Sequence, residues 1–198
     1  MHIKPVVELG NWKHYLWELS DITLPEDLTK ILKESEWVPY NYSVLKHSPK
    51  RFVAKKFNKD LFSSIFTDIN YYLNNNTDYN VKTTWPFDSG KHYSNAQWGI
   101  DVIKDTESFH MEPHLDNNLM FATCVINVVD NEENTTEYFH DEYGKELMYK
   151  SPGKKGTGVL HINSPYLYHS ASNNSQQDRI ILLNNLKISA VINNGHEI

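Results

Sequence analysis

A single cysteine, Cys124, is present among the 198 residues, so no intrachain disulfide can form. The fold must therefore depend on a packed apolar core, for which 39% hydrophobic and 13% aromatic residues are sufficient. Cys124 lies within an apolar stretch, which is typical of an inert core residue. Because disulfides belong to oxidising compartments, their absence favours a reducing one, and we expect a cytoplasmic protein.

The sequence also has no apolar run long enough to cross a bilayer, so we expect no membrane-spanning segment. The first residues, MHIKPVVELGNWKHY, lack a basic stretch followed by an apolar block, and we expect no signal peptide. Positive charge is scarce, since 19 Lys and Arg stand against 25 Asp and Glu, for a net charge of −6. Nucleic acid is therefore not expected as a partner. We interpret the basic segment at 46–57 as an exposed loop.

Two segments of the first 85 residues have helical periodicity. SDITLPEDLTKILKES places Pro25 near a helix start and apolar residues at helical spacing, which predicts a helix over about 25–35. KDLFSSIFTDINYYLNNN has the same spacing over five apolar residues and predicts a helix over about 59–74 that ends in asparagines. We therefore expect residues 1–85 to be mostly helical.

After Trp85-Pro86 the pattern changes to short strand-like segments separated by Gly, Pro, Asn or Asp. These segments are AQWGIDVIKD, ATCVINVVD, TEYFHD, KELMYKS, GTGVLHIN and DRIILLNNLKISAVI. Such a succession predicts a β-sandwich, jelly roll or barrel. No flexible linker divides the chain, so we expect one domain over 1–198, with a helical support at 1–85 and a β core at 86–198.

A histidine and a carboxylate, His114 and Asp116, lie just before the apolar run within SFHMEPHLDNNLMFATCVINVV. Residues i and i+2 of a strand point to the same side, so the two side chains enter one space. This pair fits either a structural hydrogen bond or a shared metal ion. His110 precedes His114 by four positions, a spacing that can bind zinc on a helix, but Pro113 disfavours a helix here. We therefore expect His110 to lie at the rim of the site.

Two further residues favour a metal site over a structural hydrogen bond. His169 supplies a second histidine, and two histidines with one carboxylate form the facial triad of non-haem Fe(II) sites, which leaves three positions open. Arg179 follows ten positions later, at the start of an apolar strand. A guanidinium in a core requires an anion, and its planar fork suits a carboxylate. A dicarboxylate co-substrate would supply that anion.

With these features, the chain resembles the Fe(II)/2-oxoglutarate-dependent dioxygenases, and among them the prolyl-4-hydroxylase-like group. The resemblance is carried by PHLDN, ATCVINVVDNEENTTEYF, SPGKKGTGVLHI and YHSASNNSQQDRIILL, and covers about residues 97–186. It implies a double-stranded β-helix, a cupin-like jelly roll supported by N-terminal helices. It also implies a hydroxylase that uses Fe(II), 2-oxoglutarate and O2, and that couples oxidation of a C–H bond to decarboxylation of 2-oxoglutarate to succinate.

The resemblance also implies roles for individual residues. His114, Asp116 and His169 would ligate iron, and Arg179 would pair with the distal carboxylate of 2-oxoglutarate. Asn127 stands where relatives often carry a tyrosine that hydrogen-bonds the same carboxylate, so it is assigned to the co-substrate site.

Three features of the sequence bear on how closely it follows the pattern of the family. Asn134-Thr135 replaces a Gly-Gly pair that is frequent in relatives, and Lys104 or a neighbour stands near the place of another tyrosine that often contacts the co-substrate. Halogenating relatives carry a small residue in place of Asp116, so the resemblance implies hydroxylation, or a related oxidation, rather than halogenation.

Two other functions stay open. A non-catalytic cupin-like jelly roll would bind a metal or small ligand without oxidising it, and an exposed Arg179 would favour that function. A zinc hydrolase with the same triad would need a general base, for which only Glu112 is near. The substrate stays open among prolyl or other peptidyl groups, free amino acids and small metabolites, and the oligomeric state is undefined.

The remaining candidates have mainly structural interpretations. His161 is expected to be a hydrogen-bonded structural histidine, with pocket lining as the alternative, and FHDEYGKE at 139–146 is expected to be a solvated turn. The loops at 85–97 and 130–156 are the expected lids. Three aromatic residues before the triad fit either a substrate wall or core packing: Trp85, Tyr93 and Trp98.

Overall fold

The computed structural model describes residues 1–6, 15–40, 50–55, 57–77, 79–81, 98–116, 120–133, 135–187, 191–193 and 196–197. The helices in these ranges are α1 (Leu28–Glu34), a 3-10 helix (Lys59–Phe62) and α2 (Ser63–Asn76). The strands are β1 (His2–Pro5), β2 (Leu16–Ser20), β3 (Glu36–Pro39), β4 (Arg51–Lys55), β5 (Tyr79–Val81), β6 (Trp98–Asp105), β7 (Phe109–His114), β8 (Met120–Asn127), β9 (Thr136–Phe139), β10 (Leu147–Lys150), β11 (Gly158–Ile162), β12 (Tyr168–Asn173), β13 (Arg179–Lys187), β14 (Val191–Asn193) and β15 (His196–Glu197).

Antiparallel pairing organises these strands into a large sheet and a smaller one. The large sheet has the order β1-β2-β11-β8-β13-β6-β4-β3, the smaller one β10-β9-β12-β7, and β15-β14-β5 pair separately. Side chains alternate between the two faces of β6, so that Val102 joins the core under the helices. Its neighbour Ile103 joins a second core with Tyr138 of the smaller sheet. The two sheets thus enclose a core between them, which confirms the predicted jelly roll with supporting helices.

The helices cover the outer face of the large sheet, where their apolar stripes pack against the alternate side chains of β6 and β13. Helix α1 begins at Leu28, later than predicted, because the Leu28 amide donates to Pro25 O in a turn. Helix α2 runs beyond the predicted end to Asn76, since the side chains of Asn75 and Asn76 donate to carbonyls one turn earlier. No helix in the described ranges is long and apolar enough to span a bilayer.

The N-terminal region is mixed rather than mostly helical, which corrects the prediction for residues 1–85. Strands β1 and β2 extend one edge of the large sheet through the pairing of β2 with β11. Strands β3 and β4 extend the other edge through the pairing of β4 with β6. These strands are short and gain their hydrogen bonds from residues far away in the chain, so local periodicity gives little sign of them.

A buried ion network lies in one row across β4, β6 and β13. Asp105 pairs directly with Arg51 on one side and with Arg179 on the other. Arg51 donates to both Asp105 oxygens at 2.6 and 2.8 Å, and Arg179 Nη1 donates to Oδ2 at 2.8 Å. Arg179 Nη2 reaches Thr136 Oγ1 of the smaller sheet at 3.0 Å. Two guanidinium groups therefore share one carboxylate, and the network carries a net positive charge at an almost inaccessible position.

Asn184 is an isolated amide in the core under the helices. It lies between Leu182 and Leu186 on β13, is fully buried, and has no hydrogen-bond partner for either side-chain atom among the described residues. A buried amide without partners costs free energy because it loses its hydration without compensation.

We expect Asp105→Asn to lower the free energy of unfolding by about 3–5 kcal/mol, since it leaves two buried guanidinium groups without a counter-charge. Arg51→Met is the matched control, because it removes one cation and leaves the Asp105–Arg179 pair electrically neutral. Urea unfolding of both variants tests this. A larger loss for Arg51→Met than for Asp105→Asn would contradict it.

We expect Asn184→Leu to raise the free energy of unfolding by about 1–3 kcal/mol, because leucine fills a similar volume without a polar group to desolvate. Asn185→Leu serves as the control, since Asn185 is hydrogen-bonded to Thr123 at 2.9 Å and its loss should lower stability. Thermal unfolding measures both. Destabilisation by Asn184→Leu would show that the amide has a partner after all.

Candidate metal centre

The pairing of β12 with β7 places His169 opposite His114, and Asp116 follows two residues after β7 ends. One potential ligand atom from each of the three residues lies within 4.8 Å of the others. The rings of His114 and His169 are 4.4 Å apart, and His169 Nε2 lies 3.6 Å from Asp116 Oδ1. The register of the ladder shifts just after His169, the kind of irregularity that re-aims a side chain next to a site. The structure therefore brings together the three residues singled out in the sequence.

The hydrogen bond of His114 leaves one of its ring nitrogens available. His114 Nδ1 lies 2.9 Å from Glu112 O, and because a carbonyl only accepts, Nδ1 carries the proton. In a neutral imidazole with this tautomer, Nε2 carries the lone pair through which a metal binds. A backbone carbonyl commonly fixes the tautomer and ring orientation of a metal-binding histidine in this way.

The protonation states of the other two residues suit a metal as well. Burial raises the pKa of Asp116. The combined effect of His169 and of the hydrogen bonds from His161 and Thr123 is larger and opposite, so the pKa of Asp116 lies below its ordinary value. Burial lowers the pKa of His169 to about 3. Asp116 is thus an anion and His169 a neutral imidazole at neutral pH. Two imidazoles and a carboxylate are a donor set that fits a divalent transition metal.

Asp116 has two further partners. His161 Nε2 lies 3.0 Å from Asp116 Oδ2, and Thr123 Oγ1 donates to the same oxygen at 2.5 Å. The other nitrogen of His161 lies 2.9 Å from the hydroxyl of Tyr138, which is fully buried. His161 is indeed hydrogen-bonded, as predicted, but to a candidate ligand. The sequence signal was its position on a β-strand eight residues before His169.

Arg179 is buried, at 2% exposure, but the anion that it meets is Asp105 of the same chain. The free protein therefore supplies an anion for Arg179 by itself, whereas the sequence suggested that a dicarboxylate co-substrate would supply it. Arg179 Nε has no hydrogen-bond partner among the described residues and stays available as a donor. Asn127 is also buried, and its Nδ2 donates to Pro152 O at 2.7 Å, where it holds the segment before β11.

Other candidates have structural surroundings. Lys104 lies over the ring of Trp37 at 4.5 Å, whereas its neighbour Asp105 points between the sheets. His110 pairs with Glu112 at 3.1 Å in a strongly exposed position, which agrees with a place at the rim. Asp141 accepts three backbone N–H groups, so 139–146 contains the predicted exposed turn.

A cavity of about 270 Å³ lies beside Asp116. Besides Asp116, the cavity is lined by two polar residues, Asn163 and Ser164, and by four apolar ones: Leu115, Met120, Phe121 and Pro165. Several candidates lie outside the described residues, namely Trp85, Tyr93, the side chain of Trp98, Asn134 and the loop at 85–97. Residues 46–49 and 56 of the basic segment also lie outside them. The rest of that segment is not the exposed loop that we predicted, because Arg51–Lys55 form β4 and Arg51 is buried.

No family model matches the sequence, and no curated protein matches it. Solved structures do match. A prolyl hydroxylase from Trichoplax adhaerens, in complex with a hypoxia-inducible factor peptide, has a TM-score of 0.65 at 9% identity, and the match covers 91% of this chain and 87% of that one.

Two further structures carry the same likeness. A Pseudomonas putida prolyl-4-hydroxylase has a TM-score of 0.58 at 11% identity, with 91% of this chain and 96% of that chain covered. HygX from Streptomyces hygroscopicus, with nickel and 2-oxoglutarate bound, has a TM-score of 0.54 at 8% identity, with 91% and 85% covered. The chain therefore has the fold of the prolyl hydroxylases and 2-oxoglutarate–Fe(II) oxygenases that it matches.

Proposed function

We propose that the protein is an Fe(II)- and 2-oxoglutarate-dependent dioxygenase that hydroxylates a C–H bond of a small-molecule or peptidyl substrate. The observation that carries this proposal is the convergence of His114, Asp116 and His169 on the jelly-roll fold that oxygenases of this kind share. When bound, the iron would supply O2 activation coupled to decarboxylation of 2-oxoglutarate to succinate. A single domain over 1–198 is part of the proposal, because β1 to β4 extend the same sheet as the core strands.

The residues of this chain would bind and orient the cofactors. His114 presents Nε2 because Glu112 O holds its other nitrogen, and together with Asp116 and His169 it would hold a metal ion and leave positions open for other ligands. Arg179 would receive the distal carboxylate of 2-oxoglutarate through its free Nε. Asn127 would contribute a second hydrogen bond only by releasing Pro152 O, so Arg179 carries this part of the proposal.

The fold does not select the reaction by itself. The matching structures include an epimerase, SnoN, and a carbocyclase, SnoK, both from nogalamycin biosynthesis, next to the prolyl hydroxylases. We propose hydroxylation rather than halogenation, because Asp116 keeps the carboxylate of the triad and so leaves no place for a halide. The cavity beside Asp116 is mainly apolar, which favours an uncharged group next to the metal.

A cupin-like jelly roll that binds a metal without oxidising anything is the second candidate. One observation favours it, namely that Asp105 already compensates Arg179. A zinc hydrolase is less well supported, because Glu112, the general base that it would need, is exposed and paired with His110.

We expect a weak visible charge-transfer band when Fe(II) and then 2-oxoglutarate are added to the protein without oxygen. Asp116→Ala and His114→Ala should abolish the band because they remove iron ligands. His110→Ala is the matched control, since it removes an exposed histidine four positions from His114 and should leave the band unchanged. Iron binding without a band at any 2-oxoglutarate concentration would favour the metal-binding jelly roll.

We expect Arg179→Lys to raise the 2-oxoglutarate concentration for half-maximal band intensity by roughly tenfold or more, because one charge-assisted hydrogen bond contributes about 1.5–3 kcal/mol. Arg51→Lys is the control, since it perturbs the same Asp105 network and leaves Arg179 in place. Equal shifts for the two variants would show that the network acts only through the fold.

A further inference from the structure

His161 occupies a position between the two sheets that the proposed chemistry does not use. It lies on β11, its side chain is 1% exposed, and its ring centroid is 4.8 Å from that of His169. It touches Asp116 through one nitrogen and Tyr138 through the other. A histidine so close to a candidate metal centre is either a fourth ligand or a group that acts on one of the three ligands.

The hydrogen bonds decide between these two roles. The Asp116 carboxylate can only accept, so the proton between the two groups belongs to His161 Nε2. A neutral imidazole has one donor nitrogen and one acceptor nitrogen, so Nδ1 accepts the hydroxyl proton of Tyr138. With Nε2 protonated, no lone pair faces the centre. His161 is therefore a donor to Asp116 and not a ligand.

The two oxygens of Asp116 consequently have different surroundings. Oδ2 accepts from both His161 and Thr123, at 3.0 and 2.5 Å. Oδ1 faces His169 Nε2 at 3.6 Å and is the oxygen on the side of the triad. A carboxylate that bound a metal through both oxygens would have to give up the two bonds at Oδ2.

We propose that His161, oriented by Tyr138, is a positioning residue that restricts Asp116 to binding the metal through Oδ1 alone. This inference rests on the proposed function, because it assumes that the triad holds a metal. The restriction has a chemical consequence: with a one-oxygen carboxylate the triad leaves three positions open, as a chelating co-substrate together with O2 requires. A two-oxygen carboxylate would leave about two.

The position of Tyr138 explains why the ring cannot turn away. Tyr138 lies on β9 of the smaller sheet, whereas His161 lies on β11 of the large one. The tyrosine ring meets the His161 ring edge-on, at 5.4 Å and 74°, and its hydroxyl fixes Nδ1. The hydrogen-bonded chain from Tyr138 through His161 to Asp116 thus links both sheets to one carboxylate oxygen.

The test counts the water molecules on Mn(II) bound to the protein without 2-oxoglutarate, by the broadening of the Mn(II) electron paramagnetic resonance in ¹⁷O-enriched water. We expect about three waters for the wild type and about two for His161→Phe, because the ring N–H then no longer holds Oδ2 away from the metal and only the Thr123 hydroxyl remains bound to it. His161→Gln retains an N–H donor and should restore the count to that of the wild type. Should the larger ring of His161→Phe prevent folding, His161→Leu removes the same donor with a smaller side chain.

Thr123→Val is the matched control, since it removes the other donor to Oδ2 and leaves His161 in place. The number of water molecules on Mn(II) in Thr123→Val should equal that of the wild type. An unchanged count in His161→Phe or His161→Leu, or a loss of water in Thr123→Val alone, would overturn the role of His161 and leave the triad intact. Absence of Mn(II) binding to the wild type would overturn the metal centre itself, and this inference with it.

Discussion

The register between β7 and β12 is the constraint on which the candidate site depends. It sets His169 opposite His114 across one antiparallel ladder, and Asp116 lies where the chain leaves β7. A slip by one residue would turn either histidine to the other face of the sheet and separate the three potential ligands. The apolar residues of both strands that face the large sheet, such as Phe109 and Ala171, hold this register because they are buried. The core and the metal centre are thus specified by the same pairing.

Charged side chains between the two sheets are tolerated because each of them has a partner within hydrogen-bond distance. Asp116 accepts hydrogen bonds from His161 and Thr123, and Asp105 accepts them from Arg51 and Arg179. An isolated charge at such depth would cost several kcal/mol. Both carboxylates are therefore anchored by residues of other strands, and both anchors connect parts of the fold that are far apart in sequence.

The sequence predicted the parts of the site that depend on local spacing. His114 and Asp116 could be recognised together because residues two apart on a strand point the same way. His169 was added because a facial triad needs a second histidine, and Arg179 because a guanidinium in a core needs an anion. The partners of these residues could not be predicted. Asp116 and His161 are 45 positions apart, and Asp105 and Arg179 are 74 apart, so only the strand order brings them together.

The same dependence on residues that are distant in sequence explains the errors in the predicted fold. The helices have a period of their own and were predicted to within a few residues, as α2 shows. The N-terminal strands have no such signal, because β2 and β4 are strands only by virtue of pairing with β11 and β6. Asn127 illustrates the point for a single side chain. The family resemblance assigned it to the co-substrate site, and nothing in the sequence indicated that its amide donates to Pro152 O, 25 positions away.

The balance of charge between the sheets connects the two buried clusters. Without cofactors, the anions Asp116 and Asp105 offset the cations Arg51 and Arg179, since His169 is neutral. A divalent metal at the triad would leave an excess of two positive charges, one at the metal centre and one at the arginine network. A dianion with one carboxylate near each would restore neutrality, and a dicarboxylate co-substrate meets that requirement. Asp105 therefore stabilises Arg179 in the free protein, while the second arginine, Arg51, preserves the positive charge that the distal carboxylate of the co-substrate would need.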